Sequence, residues 1–369
     1  MGYESLILEM KRLTPPSRES IYEYMENADL LIGIVNDAQS KIFANQHPGW
    51  KRTSTAMLDG QAMHVKFMGS VFRFEAYEAL LKLLHWLNKV IISNHLPPSF
   101  IPEANQLWIN AMKQILSPET SASIIPYYQW MEKNFSRIAS AALPNDVPGI
   151  ILDPALERIR EDFLVFLTIG DFSKCLSLAS EFINSIPRLM DFYLQIIQPC
   201  MYEIGHLWEE GEISAAQEHL VSSMVTRIIS YFYIKADMTT QVANKAIIAT
   251  APYEFHELGA RMVADFLELH GWKVGFLGAN TPIDCIIDMV NEFEPDILGI
   301  SVTMFSNLDY AEELIRLVRK ECRHKRFKII VGGYAFQMEG TIWRAIGADG
   351  CSNNAREAVT LARSLVRDL

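Results

Sequence analysis

From residue 246 onward, short apolar runs alternate with amphipathic stretches of helical length. The runs are Ala246 to Ala251, Val274 to Gly278, Asp296 to Val302, Lys328 to Val331 and a weaker Gly350 to Ser352. Strands that alternate with helices predict a parallel, doubly wound α/β sheet with right-handed crossovers. Ligands of such sheets sit at the carboxyl ends of the strands. Residues 155 to 236 carry no strand signal and predict a bundle of about four helices: Ala155 to Leu167, Phe172 to Asn184, Pro187 to Glu210 and Ile213 to Lys235. Gly170-Asp171 and Gly211 punctuate them. Leu143-Pro144-Asn145-Asp146-Val147-Pro148-Gly149 has the composition of a linker. The residues before it are predicted mainly helical, with Pro15-Pro16-Ser17 ahead of an early helix, an irregular Gln46 to Trp50 stretch, and the clearest helix from Ala62 to Ser93. The expected chain is multidomain: a mainly α N-terminal domain over 1–148, a four-helix bundle over 149–240, and a C-terminal α/β doubly wound parallel sheet over 241–369.

Composition narrows the class. The 369 residues are 50% hydrophobic with ordinary charge density, as packed globular domains require. No apolar stretch reaches the ~20 residues of a membrane span. The first residues have neither a basic nor an apolar leader region. Five scattered cysteines without CxxC spacing fit reduced thiols, and the cytoplasm is the expected compartment. A net charge of −11 provides no general footprint for nucleic acid. The one basic cluster, Arg319-Lys320 and Arg323 to Arg326, closes a predicted helix, where cations favour the dipole, and reads as a solvated face.

The candidate chemistry lies at the strand ends. Glu254-Phe255-His256-Glu257-Leu258-Gly259 follows the first run, Ser301-Val302-Thr303 ends the third, and Gly332-Gly333 ends the fourth. A neutral imidazole is a common transition-metal ligand, and its second ring nitrogen normally donates to a carboxylate, here Glu254. Gly259 would allow a tight turn into the next helix and a close approach of a ligand. Taken alone, His256 reads first as a loop histidine satisfied by its neighbours, and the other segments reverse that reading. In the bundle, Trp208 and the pair Glu218-His219 are separated by nine residues with Gly211 between them, which places them to converge on one ligand. Without the downstream motif they read as a core aromatic and an exposed helix face.

Together these segments resemble a cobalamin-binding domain of the methionine-synthase type, whose signature is DxHxxG, then SxL or SxT, then GG. The resemblance implies a Rossmann-like domain with His256 as the lower axial ligand of cobalt, Ser301 and Thr303 against the displaced nucleotide tail, and Gly332 and Gly333 making room for it. Glu254 departs from the usual Asp but retains the carboxylate. The W-x9-EH spacing resembles the cap bundle of cobalamin-dependent photoreceptors, in which the Trp and the Glu-His pair surround the adenosyl group of adenosylcobalamin. Those proteins carry a His directly after the Trp, where this chain has Glu209, and a bis-His photoproduct would need His206 or His219 instead. Their repressor members begin with a winged helix-turn-helix, which residues 1 to 145 do not resemble.

The N-terminal stretch has Phe67, Val71, Phe74, Leu81, Leu84 and Val90 at helical spacing, as a plain core requires. Its plan also resembles photocobilins, which pair a cobalamin module with a biliverdin-holding domain. That resemblance offers His64, Arg73, Tyr77, His85 and Trp86, on one helix, as bilin candidates. The expected function is a non-enzymatic, cytoplasmic light sensor binding adenosylcobalamin, with a biliverdin as second chromophore. Photolysis would change its homo-oligomeric assembly and so signal to an output protein that the sequence does not identify, without contacting nucleic acid or membrane. The alternative is a corrinoid carrier subunit of a methyltransferase or mutase, and a corrinoid storage or scaffold protein is a third class.

Overall fold

The structure, a computed structural model, describes residues 2–46, 50–93, 96–141, 152–236, 244–323 and 326–367, with the side chains of 42–59, 93 and 209 left out. The Gln46 to Trp50 stretch, the linker after Leu143 and the His324-Lys325 part of the basic cluster fall mostly or wholly outside these residues. Two compact units divide the chain, 1–146 and 147–369.

The first unit is helical among its described residues: α1 (Tyr3–Met10), α2 (Arg18–Glu26), α3 (Ala28–Gln46), α4 (Trp50–Phe74), α5 (Tyr77–Ser93), α6 (Phe100–Ile115) and α7 (Pro118–Ala139). Serine caps begin two of them: Ser17 Oγ accepts from Ser20 N, and Ser117 Oγ accepts from Thr120 N with Pro118 at the first helical position. The single helix expected from Ala62 to Ser93 is in fact two. Glu75 turns left-handed at φ 51°, and Ala76 N donates to Val71 O, closing α4 before α5 begins. His64 and Arg73 therefore belong to α4, and Tyr77, His85 and Trp86 to α5.

The second unit opens with a helical bundle: a short 3-10 turn (Pro154–Leu156), α8 (Glu157–Thr168), α9 (Phe172–Phe182), α10 (Ile186–Asp191), a π-helical segment (Phe192–Ile197), α11 (Gln198–Glu209) and α12 (Ala215–Lys235). The expected Pro187 to Glu210 helix is thus continuous but carries a π turn within it. There follow β1 (Lys245–Thr250), α13 (Leu258–Leu269), β2 (Lys273–Gly278), α14 (Ile283–Phe293), β3 (Ile297–Ser301), α15 (Leu308–Glu321), β4 (Lys328–Gly332), α16 (Tyr334–Met338), α17 (Ile342–Ala345), β5 (Gly350–Ser352) and α18 (Ala355–Val366).

All strand pairs are parallel in the order β2-β1-β3-β4-β5. The runs of β1, β3 and β4 became the buried central strands, with β1 buried from Ala246 onward, and β2 and β5 lie at the edges. The order reverses direction between β1 and β3, so the crevice for a ligand opens where these two strands end. One hydrophobic core continues from the bundle (Phe163, Phe192, Tyr193, Ile228) into the α/β domain (Phe266, Leu267, Ile297).

Candidate functional site

The loop leaving β1 at the switch point is fixed by polar contacts that pull its backbone inward. Tyr253 takes a left-handed conformation at φ 62°, and its N–H donates to Asn280 Oδ1 at 2.8 Å. Thr250 Oγ1 donates to Glu254 O at 3.0 Å and accepts from Asn280 N at 3.1 Å. The turn is therefore made at Tyr253 and not at Gly259, which lies within the first turn of α13 without a left-handed φ. A Cβ placed on Gly259 would meet nothing within 4 Å, so space beside the loop is open there.

Glu254 is fully buried and accepts five hydrogen bonds. Oε1 takes His256 Nδ1 at 2.5 Å and His256 N at 3.1 Å. Oε2 takes Thr303 N at 2.9 Å, Met304 N at 2.8 Å and Asn307 Nδ2 at 3.2 Å. Burial alone would push its carboxyl up, but the His256 ring and these amides outweigh it and hold the group at about 2. With Glu254 ionised, the proton of the His256 ring is assigned to Nδ1, and Nε2 keeps its lone pair. The hydrogen bond that His256 donates to Glu254 raises its ring above its ordinary value, against the effect of burial, with a smaller contribution from the charge of Glu218.

The His256 side chain is 57% exposed, and around it Phe255 is 68% exposed and Tyr253 58% exposed, with the Tyr253 ring 4.5 Å from that of Tyr310. An imidazole with an open nitrogen, flanked by uncovered aromatics, fits a large apolar planar group carrying a metal. No cluster of three or more His, Cys, Asp or Glu occurs among the described residues, and His256 Nε2 offers a metal one ligand.

Ser301 ends β3 between Thr250 and Gly332 in register, and Thr303 presents its N–H to Glu254. The double glycine is required by the chain's own backbone, whatever else it admits. A Cβ on Gly333, at φ 104°, would lie 2.3 Å from Val302 O, and one on Gly332 would lie 2.9 Å from Ser352 O.

On the bundle, Trp208 lies near the end of α11 and is 46% exposed. Gly211 at φ 74° turns the chain, and Ser214 and Gln217 form a reciprocal capping box that starts α12. Glu218 is in that first turn, with one oxygen 2.8 Å from His219 Nδ1 and the other accepting from Ser222 Oγ at 2.7 Å. The His219 side chain is 80% exposed. Among the described residues no hydrogen bond or ring contact joins Trp208 to the Glu218-His219 pair.

The five N-terminal candidates do not form one patch. His64 Nε2 is 2.9 Å from Tyr128 Oη, which is 2.8 Å from Tyr24 Oη, and its ring lies 4.9 Å from Trp108. Burial holds His64 down at about 4, so it is neutral. Tyr77 is buried against Tyr127 (3.2 Å between hydroxyls), His85 Nδ1 donates to Ile138 O at 3.3 Å, Trp86 Nε1 is buried without an acceptor among the described residues, and Arg73 is exposed beside Phe74. Composition had not marked Gln39 or Gln61: Trp108 Nε1 donates to Gln61 Oε1 and Gln61 Nε2 to Gln39 Oε1, both at 3.0 Å.

Thr250, Asn280, Asn307 and Tyr253 also escaped the sequence reading. The short polar residues of Gly278-Ala279-Asn280-Thr281 after a strand were the available signal.

Residues 151–233 and 244–362 each match a family described as B12 binding domain. Dimethylamine corrinoid protein 2 of Methanosarcina mazei is 28% identical over 171 residues, which cover 45% of this chain and 78% of that protein. The HTH-type transcriptional repressor CarH of Myxococcus xanthus is 29% identical over 217 residues, 58% of this chain and 68% of the repressor. The monomethylamine corrinoid protein of Methanosarcina barkeri shares the fold, with a TM-score of 0.51 at 18% identity over 57% of this chain and 99% of that one. No described helix is long and apolar enough to cross a membrane. With a helical cap before a Rossmann-like domain, both matched to B12 binding, and a buried carboxylate behind an open histidine at the switch point, the chain is a cobalamin-binding protein.

Proposed function

We propose that the chain is a cobalamin-dependent light sensor that holds adenosylcobalamin between cap and Rossmann-like domain. His256 Nε2 is the lower axial ligand, and Trp208, Glu218 and His219 cover the upper one. The observation that carries this reading is the open Nε2 of His256, held by the buried carboxylate of Glu254 at the switch point, downstream of a bundle that carries Trp208 and the Glu218-His219 pair. A sensor needs a group that packs against the light-labile ligand and is released with it; an exposed tryptophan and a glutamate-histidine pair in the same bundle suit that need. The match to the CarH repressor covers 217 residues, more than the α/β domain alone contains, which supports the same reading. Loss of the adenosyl group would then alter contacts between copies of the chain and pass a signal to an output protein.

A biliverdin in the N-terminal unit belongs to this proposal. It is supported by two buried amide donors without acceptors among the described residues, Gln39 Nε2 and Asn105 Nδ2, in the unit that holds the Trp108-His64-Tyr128 cluster.

The test is the absorption spectrum and size-exclusion profile of the adenosylcobalamin-loaded chain before and after green light. Light should replace the adenosyl spectrum and shift the assembly. Photolysis without any change in size would leave the second reading, a corrinoid carrier, which the openness of Trp208 and His219 and the corrinoid-protein relatives favour. Co-expression with a biliverdin source should add a red-region band that is absent without it.

A further inference from the structure

Cap and Rossmann-like domain meet along α13, and the contact there is polar in an unusual way. Tyr193, in the π-helical segment, is fully buried and donates to Asp265 Oδ2 at 2.8 Å. Tyr233, near the end of α12, donates to Glu268 Oε2 at 2.6 Å. Asp265 is only 2% exposed, and Arg261 Nε lies 3.5 Å from its other oxygen. The spacing 261, 265, 268 puts the three charged groups on one face of α13. The Tyr193 ring packs 5.9 Å from that of Phe266, and at the rim Arg356 of α18 holds Asp191 of α10 at 3.0 Å.

The other end of α13 follows directly on the His256 loop, and in the cap Trp208 is 46% exposed and the His219 side chain 80%. At 1.5 Å per residue, Glu268 lies about 15 Å along the helix from that loop. The cap is pinned at one end and open over the crevice. Apolar contact has no direction, so it would let the cap pivot, whereas two hydroxyl-to-carboxylate bonds from separate cap segments fix its angle.

We infer that Tyr193 and Tyr233 are positioning residues, which through Asp265 and Glu268 set the cap at the angle that stands Trp208 and Glu218 over the upper axial ligand. They thereby determine the preference for a bulky upper ligand over a small one. This rests on the proposed role of Trp208 and Glu218 above the cobalt.

The test uses the full chain in the dark, with Tyr193→Phe, Tyr233→Phe and the double variant, titrated with adenosylcobalamin and with methylcobalamin. The expected result is that the adenosyl-over-methyl preference falls about tenfold in the double variant, while methylcobalamin binds within about twofold of the parent. Asp265→Asn, which keeps an acceptor for Tyr193, should retain the preference, and Asp265→Leu should lose it. An unchanged preference in the folded double variant, or equal weakening toward both cobalamins, overturns the inference. If the double variant does not fold, the two single variants and the Asp265 pair give the same decision. Trp208→Ala separates the two levels: if the parent shows no preference, or Trp208→Ala keeps it, the cap reading fails; if Trp208→Ala abolishes it and the tyrosine variants do not, only the positioning role fails.

Discussion

Glu254 Oε2 accepts from the Met304 N–H at 2.8 Å and so joins the loop after β1 to the loop after β3, on the two sides of the switch point. The same carboxylate orients His256, so the position of the ligand histidine and the geometry of the crevice wall depend on one side chain.

Glu254→Ala should therefore cost stability with a definite pH profile. A carboxyl held at about 2 against an ordinary 4.5 contributes about 3 kcal/mol, fully present above pH 4.5 and lost as pH falls toward 2. Urea unfolding at pH 6 should show the full loss, and at pH 3 the gap between parent and variant should narrow. A gap that is constant with pH contradicts the buried ionised carboxylate.

Asp265 behaves in the opposite sense. Burial, against the Tyr193 hydrogen bond and Arg261, raises it to about 6 from 3.8, so its contribution is favourable below pH 3.8 and is lost as pH rises through 6. Asp265→Asn should match the parent at pH 4 and exceed it by up to about 3 kcal/mol at pH 8. Thermal melts of both proteins across that range are the measurement, and a variant weaker at pH 8 contradicts the assignment.

Gly333 and Gly259 should respond differently to alanine. Gly333→Ala forces a Cβ against Val302 O in a left-handed conformation and should destabilise by more than about 2 kcal/mol. Gly259→Ala has room and should be neutral or stabilising by about 0.5 kcal/mol in the apo protein. Because the open space beside it is where the corrin would approach, hydroxocobalamin affinity should fall about tenfold in that variant. Chemical denaturation and absorbance titration check the two halves.

His256→Ala should convert bound hydroxocobalamin to a spectrum without histidine ligation and weaken its retention. Glu254→Ala, which leaves the ring unoriented, should weaken it about tenfold in the same titration. Identical spectra and affinities in His256→Ala exclude this histidine as the ligand.

The parallel sheet was legible because strand burial on both faces leaves near-continuous apolar runs, and the runs ending at Ala251, Gly278 and Val302 mark β1, β2 and β3 within a residue or so. His256 and Glu254 were legible because two nearby residues carry the chemistry. Asn307 and Asn280 were not, since each acts on the loop at residues 253–254 from 27 or more positions away. Gly332 and Gly333 stood out as missing side chains, but a sequence does not record the backbone of Val302 and Ser352 that crowds them. In Ala62 to Ser93 the apolar spacing runs through Glu75 unbroken, so nothing in the pattern announced the left-handed residue that divides α4 from α5.

The π turn at 192–197 also bears on how this chain can vary. A single-turn π segment holds one residue more than an α-helix of the same rise would, and each residue turns an α-helix by about 100°. Removing one residue there would restore an unbroken α-helix and leave the helix beyond it in place, whereas a one-residue change within the regular part of α11 would turn everything after it by that angle. The π turn is therefore a place where the length of this chain can change by one residue without re-aiming the side chains that follow.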